Sequence, residues 1–172
     1  MKDAMIVLNT MIEDKDVKAH CLSAGMLYVK ECNNLGIIYN EEVLNTVILH
    51  DIGKSNKLNG DSVAEKGYSY LKNSPKVYAR SIRNMGTGRY SAECNEIETL
   101  ITTVIDYCDS HTDYKGNFCN INEKLQEIGT TYGMFSEEYK LMLNVLDYYY
   151  ITDCNIQATI NKLDLLLRVV NK

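Results

Sequence analysis

An all-α domain of about eight helices is the expected architecture of this 172-residue chain. Apolar residues recur at three- and four-residue steps almost from end to end. No segment sustains the period-two alternation of a half-buried strand bounded by hairpin turns, and the chain holds a single proline. With 45% of residues hydrophobic and 24% charged, the composition is that of a folded core rather than a disordered or fibrous chain. The length suits one domain over residues 1–172.

The elements follow in order. A short amphipathic start is expected around Met5 to Ile12. A long helix should run from about Asp16 to Asn33, with Val17, Cys21, Ala24, Tyr28 and Cys32 along one face and a break at Gly36. Asn40 then caps a helix through EEVLNTVILHDI, whose Glu41 and Glu42 favour the positive end of the helix dipole. GKSNKLNG reads as a loop, with Asp61 as the cap of a helix to about Leu71. Ser74 and Pro75 should open another to about Asn84, because serine caps free amides and proline has no N–H to lose at the first helical position. Met85 to Arg89 ends it. Helices are further expected from about Ala92 to Ser110, Asn120 to Tyr132, Ser136 to Tyr150 and Asn155 to Val170.

Charge narrows the function classes. Eighteen Lys and Arg against twenty-three Asp and Glu leave a net charge of −5, the wrong sign for a protein that wraps a nucleic-acid backbone. No run approaches the roughly 18 apolar residues of a membrane span, and the start carries no cleavage pattern, so a cytoplasmic chain is expected. The six cysteines stand singly, without a C-x-x-C pair, and read as reduced, mostly core-filling thiols. Thirteen tyrosines, Tyr148, Tyr149 and Tyr150 among them, read chiefly as core bodies with wet hydroxyls, and they also suit a homodimer surface.

Four polar residues fall on apolar stripes. His20 lies three after Val17 and four before Ala24. His50 lies three after Val47, Asp51 three after Ile48, and Asp109 four after Ile105. A lone inward histidine is usually a hydrogen-bonded core residue, and an aspartate at a helix end often bonds loop amides. Three helices each bringing such groups to a greasy face is different. Buried unpartnered, they would cost kilocalories per mole, and one shared divalent metal would satisfy all four.

The string V-I-L-H50-D51-I-G-K54 resembles the signature of the HD-domain superfamily of metal-dependent phosphohydrolases. The family's earlier histidine and later aspartate have counterparts in His20 and Asp109, and I-D-Y107-C108-D109 is similar to the family's segment bearing the last ligand. The resemblance covers about Val17 to Tyr132 (residues 17–132), and helices from about 136 to 170 look like additions to an HD-domain-like bundle. It implies that His20, His50, Asp51 and Asp109 hold one divalent ion, with manganese, cobalt, iron, nickel, zinc and magnesium all open. It implies that Asp51 also holds the attacking water and that the substrate is a small phosphate ester, with a nucleotide as the leading class. Where two-metal members carry further histidines, this chain has none between Lys54 and Tyr107, near Ser62, Val63 or Asn84, which argues against a histidine-rich dinuclear centre. No G-Y-P motif follows the doublet, which speaks against the cyclic-di-GMP branch.

Phosphate needs cations. Lys54, just past the doublet, is the first candidate, with Arg80, Arg83 and Arg89 behind it, each more often a surface charge. His111 is a candidate proton donor to the leaving group, although a solvated loop histidine is the commoner state. The glycines at 86 and 88 read as a turn rather than a phosphate cradle. A non-catalytic helical module that keeps the scaffold for metal or ligand sensing, or for protein binding, is the alternative reading.

Overall fold

Residues 2–86, 94–152 and 155–170 are described, in a computed structural model. Arg89, Gly88 and Cys154 lie outside them. The described chain is helical, and its one β-type pairing is an isolated bridge between Thr112 and Phe118.

The helices are α1 (Lys2–Met11), α2 (Lys15–Asn34), α3 (Glu41–Ile48), α4 (Val63–Leu71), α5 (Ala79–Arg83), α6 (Glu96–Ser110), α7 (Ile121–Tyr132), α8 (Glu137–Thr152) and α9 (Ile156–Val170). Local chemistry explains most starts. Asp14 accepts from the amides of Asp16 and Val17, and Asn40 from those of Glu42 and Val43. Asn95 with Glu98, and Asn120 with Glu123, close reciprocal capping boxes that satisfy amides the helix cannot pair itself.

Three expectations change. The helix carrying the His-Asp doublet stops at Ile48, and His50 and Asp51 stand in a tight turn before a short 3-10 segment, Ile52–Lys54. The His50 amide reaches back to Val47 O and that of Ile52 to Leu49 O, three-residue bonds that tighten the backbone. This path requires glycine at residue 53, because a Cβ there would lie 1.9 Å from the Val63 carbonyl oxygen at the start of α4. The cap of α4 is Ser62, which accepts from the Glu65 amide, one residue beyond the expected Asp61. Ser74 and Pro75 open no helix. The Tyr78 amide is taken by Thr46 Oγ1 at 2.9 Å, its ψ of 74° is not helical, and α5 begins only at Ala79.

The principal core joins Leu8 of α1, Ala24 and Tyr28 of α2, Val43 and Val47 of α3, Ile82 of α5, Ile101 and Ile105 of α6, and Leu163 of α9. The last helix therefore returns to pack on α6, while α7 and α8 build a smaller cluster around Ile128, Met142 and Val145. Cys21, Cys32 and Cys108 are buried in the main core, and no disulfide joins the described cysteines. Tyr149 packs against the smaller cluster. No described helix is long and apolar enough to cross a membrane.

Candidate metal centre

Each of the four polar residues on apolar stripes reaches the same point. His20 comes from the second turn of α2, His50 and Asp51 from the turn after α3, and Asp109 from the last turn of α6. His20 Nε2 stands 3.2 Å from His50 Nε2, 3.0 Å from Asp109 Oδ1 and 3.8 Å from Asp51 Oδ2. His50 Nε2 lies 3.6 Å from Asp51 Oδ2 and 3.8 Å from Asp109 Oδ1. Both imidazoles and Asp51 are buried, and Asp109 is half-buried.

The second ring nitrogens decide what these contacts mean. His20 Nδ1 is 3.0 Å from the Asp113 carbonyl oxygen and His50 Nδ1 is 2.7 Å from that of Val47. A carbonyl can only accept, so each ring keeps its proton on Nδ1 and donates it outward. Both Nε2 lone pairs then face inward. Two lone pairs at 3.2 Å beside two carboxylate oxygens make four converging acceptors with no donor among them. A proton on one ring would satisfy one pair, whereas a divalent cation satisfies all four. Ligands about 2.0–2.2 Å from one ion sit roughly 3–4 Å apart, as these atoms do. Imidazole bound through Nε2 with Nδ1 donating to a backbone carbonyl is also the usual way a protein orients a ligating histidine. The residues fit a metal.

The loop between α6 and α7 makes the His20 bond possible. Gly116 has φ of +82°, and a Cβ there would lie 2.9 Å from the Ala19 carbonyl oxygen, so only glycine lets this loop lie against α2. Asp113 then accepts from the amides of Lys115 and Asn117 and locks the turn that presents its own carbonyl to His20.

Charge is balanced on both sides. Lys54 Nζ donates to Asp51 Oδ2 at 2.5 Å. Burial by itself would raise the Asp51 carboxyl, but the Lys54 ammonium in contact with it outweighs burial and holds the group below its ordinary value. Burial likewise opposes ionisation of Asp109, and the charge of the Lys124 ammonium, 3.9 Å from Oδ1, holds the group below its ordinary value. Burial pushes His50 down, so its ring is neutral at pH 7 and its lone pair is available. The Cys21 thiol is within ligand distance of His50 and Asp51, but burial raises its pKa well above the ordinary value and keeps it a neutral thiol.

Lys54, bonded to Asp51, borders a recess of about 240 Å³ lined also by Ile12, Asp14, Val17 and Asn56. The other cation candidates are not gathered there. Arg80 donates to Glu98 at 2.7 Å, and Glu98 stands at the start of α6, eleven residues or about 16 Å of helix from Asp109. Arg83 donates to Glu65 and lies over the Tyr68 ring. His111 stacks on Tyr107 at 4.2 Å, with Nδ1 against the Tyr107 carbonyl oxygen, in the field of Glu31 near the far end of α2.

Two residues at the centre had no sequence-based expectation. The Tyr114 ring lies 6.1 Å from the His20 ring and has Lys54 Nζ at 5.3 Å and Lys124 Nζ at 4.3 Å. Lys124 is 2% exposed and sits 3.9 Å from Asp109 Oδ1. Its signal was present in the chain, since Lys124 falls three after Ile121 and four before Ile128, the same register test that singles out His20. Comparison with protein-family models, with curated proteins and with solved structures returned no match.

Proposed function

We propose that this chain is a cytoplasmic, metal-dependent phosphohydrolase acting on a small phosphate ester, with a nucleotide as the leading substrate class. The convergence of two inward Nε2 lone pairs and two carboxylates on one point carries the reading. The resemblance of V-I-L-H50-D51-I-G-K54 to the HD-domain signature supports the choice of reaction.

A divalent ion supplies two things at such a site, a water acidic enough to ionise near neutral pH and neutralisation of phosphoryl charge. The chain supplies the rest. His20, His50, Asp51 and Asp109 hold the ion, and the outward Nδ1 bonds fix both rings before it arrives. Asp51, ionised and buried, is placed to accept the proton of the attacking water. Lys54 is 29% exposed at the lip of the recess, so its ammonium can leave Asp51 and take a phosphoryl oxygen. Tyr114 covers the His20 side and limits the approach of bulk water.

The second reading, a metal- or ligand-sensing module without turnover, draws on Arg80 and Arg83, whose guanidinium groups are committed to Glu98 and Glu65. Phosphate release from a panel of nucleotides and simple phosphate esters with manganese or cobalt, run on native protein and Asp51→Ala, separates the two. Turnover that vanishes in the variant establishes the hydrolase, and silence from both with metal still bound by the native protein establishes the module.

A further inference from the structure

Lys124 is the least expected residue of the α7 stripe. An ammonium group 2% exposed, between Ile121 and Ile128, costs several kcal/mol to desolvate unless opposite charge repays it. Its Nζ donates to the Thr112 carbonyl oxygen at 2.7 Å, lies 4.3 Å above the Tyr114 ring centroid, and has Glu127 Oε2 at 3.6 Å and Asp109 Oδ1 at 3.9 Å. The carbonyl and the ring need no full charge beside them. Of the two carboxylates, Glu127 already takes the Tyr114 amide on both oxygens, at 3.0 and 3.2 Å. Asp109 has His20 Nε2 at 3.0 Å, but that nitrogen is an acceptor in the tautomer the Asp113 carbonyl imposes, so in the absence of any other cation it offers Asp109 a lone pair.

We infer that Lys124 is a positioning residue, a permanent counter-cation to Asp109 that sets how tightly the centre holds a divalent metal. The inference rests on the metal reading above and concerns a residue outside the ligand set. The two ammonium groups of the centre differ in freedom. Lys54, at 29% exposed, can swing into the recess when a cation takes Asp51, whereas Lys124, at 2%, has nowhere to go. Its positive charge therefore stays beside the occupied site. It opposes the ion, and it compensates Asp109 when no ion is there. The consequence is a metal that exchanges with its surroundings rather than one locked in at folding.

The sign of the effect tests this. Lys124→Gln keeps a donor for the Thr112 carbonyl and removes the charge, and Lys124→Arg keeps the charge. Titration of chelator-treated protein with Mn²⁺ by calorimetry is expected to show Lys124→Gln binding at least about tenfold tighter than native, and Lys124→Arg within about twofold of it, since a single and a double positive charge about 5–6 Å apart repel on that scale even at the dielectric constant of water. A strut that only holds the loop in place predicts the opposite, so unchanged or weaker Mn²⁺ binding by Lys124→Gln overturns the inference while leaving the metal reading intact. Native protein that binds no Mn²⁺ removes the metal reading itself. Should Lys124→Gln not fold, Lys124→Met decides by the same sign, and failure of both to fold makes Lys124 a strut and overturns the inference.

Discussion

The main body and the α7–α8 layer are held by different forces. The main body, α1 to α6 with α9, shares one continuous apolar interior in which residues such as Leu8, Val47, Ile101 and Leu163 are essentially solvent-free. Among the described residues, the α7–α8 layer has a cluster of three buried apolar residues of its own, and polar bonds tie it to the body and the adjoining loop: Lys124 to Thr112 and Asp109, and Glu127 to the Tyr114 amide. All four candidate ligand residues stand on the body, and the wall facing them stands on the layer and its loop. Preorganisation of the ligands thus draws on the strongest packing in the molecule, while the cover over them draws on contacts that open at lower cost.

The largest expected effect is a difference between the two clusters. Ile105→Ala should destabilise the whole fold by about 3 kcal/mol, the scale of a buried large-to-small change, and Ile128→Ala by about half that. Denaturant melts give the energies, and hydrogen exchange gives the extent. Loss of protection confined to α7 and α8 in Ile128→Ala is the expected pattern. Equal costs with global loss of protection would show that the layer and the body unfold as one unit.

A smaller effect is expected within the centre itself. Lys54→Ala should lower kcat/KM for phosphate release by about a hundredfold, the scale for removing one charged group that meets developing negative charge. Binding of Mn²⁺ should persist, because none of the four ligands is touched. An unaltered kcat/KM would remove Lys54 from the reaction and favour the sensing module.

The smallest is expected at Arg80, whose ion pair with Glu98 is half exposed. Arg80→Ala should cost no more than about 1 kcal/mol in a thermal melt and leave phosphate release within about twofold of native. A large loss of turnover would return Arg80 to substrate binding through a movement of α5.

Local chemistry made much of this fold legible. Asn40 and Asn120 cap helices because a side-chain oxygen two or three residues before the first free amides reaches them wherever the chain runs next, whereas the helix expected from about Ala92 starts only at Glu96, capped by Asn95. His20 and Asp109 were legible because a polar group on an apolar stripe must be buried somewhere, and burial demands partners. What register cannot supply is the identity of those partners. Arg80 and Arg83 looked like phosphate clamps until Glu98 and Glu65, each eighteen residues from its guanidinium, came to meet them. Pro75 looked like a helix start until Thr46, thirty-two residues away, took the Tyr78 amide.

The sequence by itself determined the helical class and the inward register of His20 and Asp109, since both depend on spacings within one turn or two. Tertiary structure alone decided that residue 53 must be glycine, since the clash of a Cβ there with Val63 is a contact between elements. It alone decided which nitrogen of His20 faces the centre, through the Asp113 carbonyl, and it alone brought Lys124 to Asp109. The physical reason is common to the last two. A buried polar group is satisfied by whatever the folded chain places within about 3–4 Å, and the sequence records its need but not its neighbour.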